Sequence, residues 1–149
     1  MARIKLEVKV MDESSRKIVE LFNLYMSVYG ENGVDTKGSL RERVLKHNKG
    51  CIICGILNSK LTIVSHLKPK KDCSIEEIND INNVLLLCRN HDGLIDKGLI
   101  TFDDDGDIII SNNLSYEDRE RLGIDSLIHI EMNEFQKKYM EYHRKYIFK

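Results

Sequence analysis

Residues 3–10 alternate Ile4, Leu6, Val8 and Val10 with Lys5, Glu7 and Lys9, and a period of two predicts a half-buried strand. Ser14-Ser15 then offers an N-cap for a helix with Ile18, Leu21, Phe22, Tyr25 and Val28 on one face, stopped at Gly30. Residues 33–38 read as a loop, Leu40 to His47 as a short basic helix, and Leu61 to Leu67 as a strand. Residues 69–83 form a polar, acidic connection with a helical turn near Ile75 to Ile78. The apolar run Val84 to Leu87 suits a buried strand, and a short helix follows from Asn90 to Lys97, closed by Gly98. Leu99 to Phe102 and Ile108 to Ser111 flank Asp103-Asp104-Asp105-Gly106, a hairpin signal. Helices are expected at Ser115 to Leu122 and Glu131 to Ile147. The second carries Met132, Phe135, Tyr139, Tyr142 and Tyr146 near helical spacing, which suits a core stripe or a dimer face.

The elements describe an α+β protein, and 149 residues suit one ordinary domain. No apolar run approaches the roughly 20 residues a bilayer span needs, so no membrane partner is expected. Met1-Ala2-Arg3-Ile4-Lys5 lacks the apolar stretch of a secretory signal, so a cytoplasmic, reducing setting is expected.

A formal net charge of -1 would argue against a nucleic-acid partner, but the average hides a division. From Lys37 to Lys71 nine cations face Glu42 alone, a net of +8. From Asp72 to Asp107 ten acids face Arg89 and Lys97, a net of −8. Cations can hold a phosphate backbone and carboxylates a divalent metal, although two solvated loops would look the same.

Four cysteines lie at Cys51, Cys54, Cys73 and Cys88. Cys51-Ile52-Ile53-Cys54-Gly55 has the spacing of a zinc knuckle, in which two thiolates turn onto one tetrahedral ion. Cys88-Arg89-Asn90-His91 supplies a second pair at the same spacing, giving a candidate Cys₃His site for structural Zn²⁺. Two alternatives stay open: Cys73 in place of His91 as the fourth ligand, or a Cys88 that is a small buried hydrophobe with no zinc at all. Cys73, among Lys71, Asp72, Ser74 and Glu76, reads as a free thiol on an exposed loop.

Between the two pairs lie Val64-Ser65-His66-Leu67-Lys68-Pro69 and Asn82-Asn83-Val84, and Asp92 follows His91. This pattern resembles the HNH endonuclease family, in the subgroup common among bacterial restriction-type nucleases. Leu94-Ile95-Asp96-Lys97-Gly98, the basic helix before Cys51 and His143-Arg144 near the C-terminus extend the resemblance. It implies a ββα-metal core, two strands crossed by a helix and stapled by zinc. A single nuclease domain of residues 1–149 would divide into a strand–helix extension (1–40), a core (41–111) and C-terminal helices (112–149).

The resemblance also implies roles. His66 matches the general base that takes a proton from the attacking water, a task for which an imidazole, ordinarily titrating at about 6.5, is suited. Asn83 matches the asparagine that fixes the histidine and loop geometry. Asp92 stands where the last motif histidine normally lies and would bind Mg²⁺, with Mn²⁺ as a substitute. Neighbouring helical residues point about 100° apart, so His91 can face zinc while Asp92 faces a cleft. Asp96, four residues on, shares the face of Asp92.

The position before the general base is often aspartate in the family, and here it is Ser65. Arg41, Arg43, Lys46, Lys49, Lys68, Lys70, Lys71 and Arg89 are the candidate phosphate contacts on double-stranded DNA. His47, His129 and His143 receive no role. One ββα-metal core cuts one strand, so double-strand cleavage would need a homodimer or two binding events. A zinc-stapled nucleic-acid-binding module without cleavage is the alternative function.

Overall fold

The computed structural model describes residues 12–29 and 38–149. The strand expected at residues 3–10, and the helix stop and most of the loop expected at 30–38, fall outside the described residues. The chain divides into two units, Met1–Lys37 and Gly38–Lys149.

In the first unit, α1 spans Glu13–Tyr29. Its cap differs from the expected Ser14-Ser15: Asp12 Oδ1 accepts the Ser15 N–H at 2.7 Å. A carboxylate accepts more strongly than a hydroxyl, and three residues is the spacing an N-cap requires. Of the residues expected on its apolar face, Ile18, Leu21 and Phe22 are exposed, while Val19 is buried.

The second unit is organised around one strand. Helix α2 (Leu40–His47) starts where Ser39 Oγ accepts the Glu42 N–H. Strand β1 (Thr62–His66) pairs antiparallel with β2 (Val84–Cys88), in a register that sets Thr62 opposite Cys88 and His66 opposite Val84. Their connection holds the single turn α3 (Ile75–Ile78), closed by a capping box between Ser74 and Glu77. All five residues of β2 are buried. Leu85 and Leu87 join Leu94, Ile95, Ile100, Phe102 and Met140 in the larger core, while Val84 and Leu86 join Val44 in a smaller one. Both faces of β2 are therefore covered, which is why the strand reads as an unbroken apolar run.

Helix α4 (Arg89–Asp96) leaves β2 directly and packs across β1 and β2, completing the expected ββα arrangement. Strands β3 (Ile100–Phe102) and β4 (Ile108–Ile110) make the expected hairpin. Helix α5 covers Tyr116–Leu122. Helix α6 covers Glu134–Tyr146, three residues shorter at its start than the stripe suggested, because the Asn133–Gln136 capping box fixes its beginning. Its buried side chains are Met140 and His143. Tyr139 and Tyr142 instead extend their hydroxyls to Asp80 and Asp72 on the β1–β2 connection, at 2.8 and 3.2 Å. No helix among the described residues is long and apolar enough to cross a membrane.

Candidate active site and metal centre

Cys51, Cys54, Cys88 and His91 bring their ligand atoms within 4.8 Å of one another. Two local devices build this. Gly55, at φ +77°, closes the knuckle so that its N–H reaches the Cys51 carbonyl at 2.8 Å. Ile52 N–H donates to Leu86 O at 3.0 Å, which fastens the knuckle to β2. Cys88 ends β2 and His91 lies in the first turn of α4, so the second pair arrives from a strand–helix junction.

The donor set fits zinc. Cys51 Sγ and His91 Nδ1 lie 3.5 Å apart, and tetrahedral Zn–S and Zn–N bonds imply about 3.6 Å between such atoms. His91 Nε2 donates to Leu122 O at 2.7 Å, which leaves Nδ1 as the ligand nitrogen and fixes the ring. Burial works against the Cys51 thiolate, but hydrogen bonds from His91 and from the backbone of Cys54, Cys88 and Ile53 outweigh it and bring the thiol down to about 6. Burial, with the neighbouring Cys51 and Cys88, pushes Cys54 up to about 11. The first thiolate thus forms readily and the second is resisted until a cation shares the site. Cys73 stands outside this group, so the ligand set assembled contains His91. Nor is Cys73 on an exposed loop: it is half-buried, with Lys68 O at 3.3 Å and Asn83 Nδ2 at 3.4 Å from Sγ.

His66 sits at the other end of the ribbon from the Thr62–Cys88 pair, roughly 13 Å away along four residues of strand. His66 Nε2 lies 2.9 Å from Ile78 O. A carbonyl only accepts, so Nε2 carries the hydrogen and Nδ1 keeps a lone pair. Asn83 is fully buried and holds the connection from within: Nδ2 donates to Glu77 O at 3.0 Å and Oδ1 accepts Lys68 N–H at 2.9 Å. Glu77 adjoins Ile78, so Asn83 braces the carbonyl that orients His66.

Residues 51–103 match the family model described as HNH endonuclease. The match supports the HNH endonuclease family for this segment. No curated protein matches the chain. HNH nucleases act on DNA, which supports a nucleic-acid partner.

The HNH segment also forms most of a cleft of about 300 Å³, lined by Ser65, His66, Asp92, Asp96 and Lys70 among others. Ile95, His143 and Ile147 also line it. Asp92 and Asp96 thus share the helical face expected of them, and Asp96 lies 3.5 Å from the Lys97 ammonium at the surface. Mg²⁺ keeps several waters and takes few protein ligands, so a pair of carboxylates beside an open cleft suits it.

Three of the expected phosphate contacts have partners within the protein. Arg43 is 6% exposed and donates to Asn79 O at 2.9 Å. Arg41 donates to the carbonyls of Thr62, at 2.9 Å, and Ser59, tying α2 to the entry of β1. Lys68 meets Glu77 at 2.7 Å and lies 5.1 Å from the centre of the Tyr142 ring. Each of these cations is spent on the fold. Lys46, Lys49, Lys70, Lys71 and Arg89 are exposed.

Two histidines given no role in the sequence have definite partners. His129 bridges Asp107 and Glu131 at 2.9 and 3.1 Å. His143 is 1% exposed, with Nδ1 2.8 Å from Thr101 Oγ1 and Nε2 2.8 Å from Ile95 O. The signal available for His143 was its position, three residues after Met140 and four after Tyr139, on the inward stripe of α6.

Proposed function

We propose that the chain is a metal-dependent endonuclease that hydrolyses phosphodiester bonds in duplex DNA, with residues 41–111 as its core. The observation that carries the reading is His66, ring fixed and Nδ1 left as acceptor, in one cleft with Asp92 and Asp96. His66 removes a proton from the attacking water, whose oxygen bonds to phosphorus as the bond to the 3′ oxygen breaks. Asn83 holds the connection that orients His66. Asp92 and Asp96 would hold Mg²⁺ or Mn²⁺, which when bound neutralises charge developing on the phosphate and the leaving oxygen. Cys51, Cys54, Cys88 and His91 would hold structural Zn²⁺, stapling the knuckle to β2 and α4. Lys70 at the cleft, with Lys46, Lys49, Lys71 and Arg89, supplies the phosphate contacts. Homodimerisation would let two cores cut both strands, and the family resemblance makes restriction the expected biological setting, in the cytoplasm.

A second reading, a zinc-stapled nucleic-acid-binding module, is favoured by Ser65, which puts a hydroxyl in the cleft where a carboxylate would add a metal ligand. Supercoiled plasmid incubated with zinc-loaded protein and Mg²⁺ or Mn²⁺ separates the two. The nuclease reading expects nicked circles whose appearance needs the added ion. Salt-sensitive DNA binding without nicking under either ion would leave the binding module.

A further inference from the structure

Helix α6 lies outside the segment that matches the HNH family, yet His143 on that helix lines the same cleft as His66, Asp92 and Asp96. Both of its ring nitrogens are engaged. Nε2 donates to Ile95 O, so Nδ1 is the acceptor and the Thr101 hydroxyl donates to it. With neither nitrogen open, the ring has no proton to exchange with a substrate. What it does hold is the Ile95 carbonyl in the last turn of α4, which accepts the His143 Nε2–H at 2.8 Å beside the Gly98 N–H at 3.1 Å. Ile95 is the residue between the cleft carboxylates, three after Asp92 and one before Asp96.

The chain after α6 grips the next residues of the same helix end. Lys149 N–H donates to Gly98 O at 3.0 Å, and a Cβ at Gly98 (φ +69°) would lie 2.1 Å from Ile147 O. The end of α4 is thus held by a hydrogen-bonded histidine on one residue and by a close backbone approach on another. An apolar side chain in place of His143 would fill the space without directing the Ile95 carbonyl.

We propose that His143 is a positioning residue: through the Ile95 carbonyl it sets the end of α4 so that Asp92 and Asp96 face the cleft together. The inference rests on the nuclease reading for its purpose but not for its measurement. Groups that orient metal ligands from behind are worth about 10- to 100-fold in metal affinity.

The test compares zinc-loaded wild type, His143→Gln and His143→Leu, each checked for zinc content and melting temperature. Mn²⁺ titration without DNA, followed by the electron spin resonance of free Mn²⁺, reads affinity, and Asp92→Asn identifies the site being read. Plasmid nicking gives kcat and KM. His143→Leu is expected to weaken Mn²⁺ about 10-fold or more and to lower kcat with KM within twofold. His143→Gln, whose amide can still donate to Ile95 O, is expected to recover part of both. Should His143→Leu fail to fold, Thr101→Val removes the Nδ1 partner, together with the hydroxyl's 3.5 Å contact to Met140 Sδ, leaves the Nε2 bond to Ile95 O in place, and is expected to weaken Mn²⁺ by a smaller factor. Mn²⁺ affinity and kcat unchanged in the folded variants, in a wild type that nicks DNA, would overturn the inference and leave the nuclease standing. Mn²⁺ affinity that depends on His143 in a protein that never nicks would do the reverse.

Discussion

The two ends of the β1–β2 ribbon are built on opposite plans. At the Cys88 end four soft donors converge within 4.8 Å, three of them buried, and their outward contacts are satisfied by backbone groups such as Leu122 O. At the His66 end two carboxylates and two imidazoles, those of His66 and the hydrogen-bonded His143, line an open cleft. A closed set of four protein ligands makes a structural metal centre, whereas a sparse set leaves coordination positions for water and phosphate. Under the proposed function the work divides along one short ribbon: the closed end would hold the fold through its ion, and the open end would do the chemistry.

The largest effect should come from breaking the closed end. Cys51→Ser, or removal of zinc by a chelator, should abolish cooperative folding, because zinc binding in such sites is worth on the order of 10 kcal/mol. Metal analysis of wild type should find one zinc per chain. A well-folded, zinc-free preparation would end the division of labour at once.

Asn83→Ala attacks the connection between the two ends. It leaves Lys68 N–H without its partner and Glu77 O with backbone donors only, and a buried group left unpaired costs about 1–3 kcal/mol. The melting temperature should fall by several degrees, with zinc retained. Denaturant unfolding that matches wild type would show that the hub braces nothing.

Smaller effects test which cations face DNA. Lys70→Ala should weaken binding and reduce the slope of log affinity against log salt by about 0.9, the share of one phosphate contact. Arg43→Met should leave that slope unchanged, because its guanidinium is bonded to Asn79 O in the interior. Equal slopes for the two variants would return Arg43 to the phosphate surface.

The smallest effect concerns His129, away from both ends. Hydrogen bonds to Asp107, then Glu131, raise its pKa above the ordinary 6.5. A raised folded-state value means stability that is fully present below 6.5 and lost as pH rises through the folded value. His129→Ala should therefore lower the melting temperature at pH 5.5 and barely change it at pH 9. A pH-independent difference would assign His129 to packing alone.

What could be read from the sequence follows from how local each signal is. The knuckle, the apolar run of β2 and the Asp92–Asp96 spacing are set within a few residues, and each appears where its pattern put it. The partners of the basic side chains were not legible, because charge is a property of a residue but availability is a property of its partners. Nothing within four positions of Arg43 announces Asn79 O, and nothing near Lys68 announces Tyr142. Cys73 looked exposed among charged neighbours and is half-buried because Asn83 and Lys68 O close around its thiol. His143 acquires meaning only when α6 folds back on α4, across 48 residues of chain.

The most direct test of the account is the single-turnover nicking rate of His66→Ala against wild type, both zinc-loaded and matched for DNA affinity. Loss of a general base predicts a fall of about 10²- to 10⁴-fold with zinc content and melting temperature retained. Nicking by His66→Ala at the wild-type rate would contradict it, and the open end of the ribbon would not be the place where the phosphodiester bond is cut.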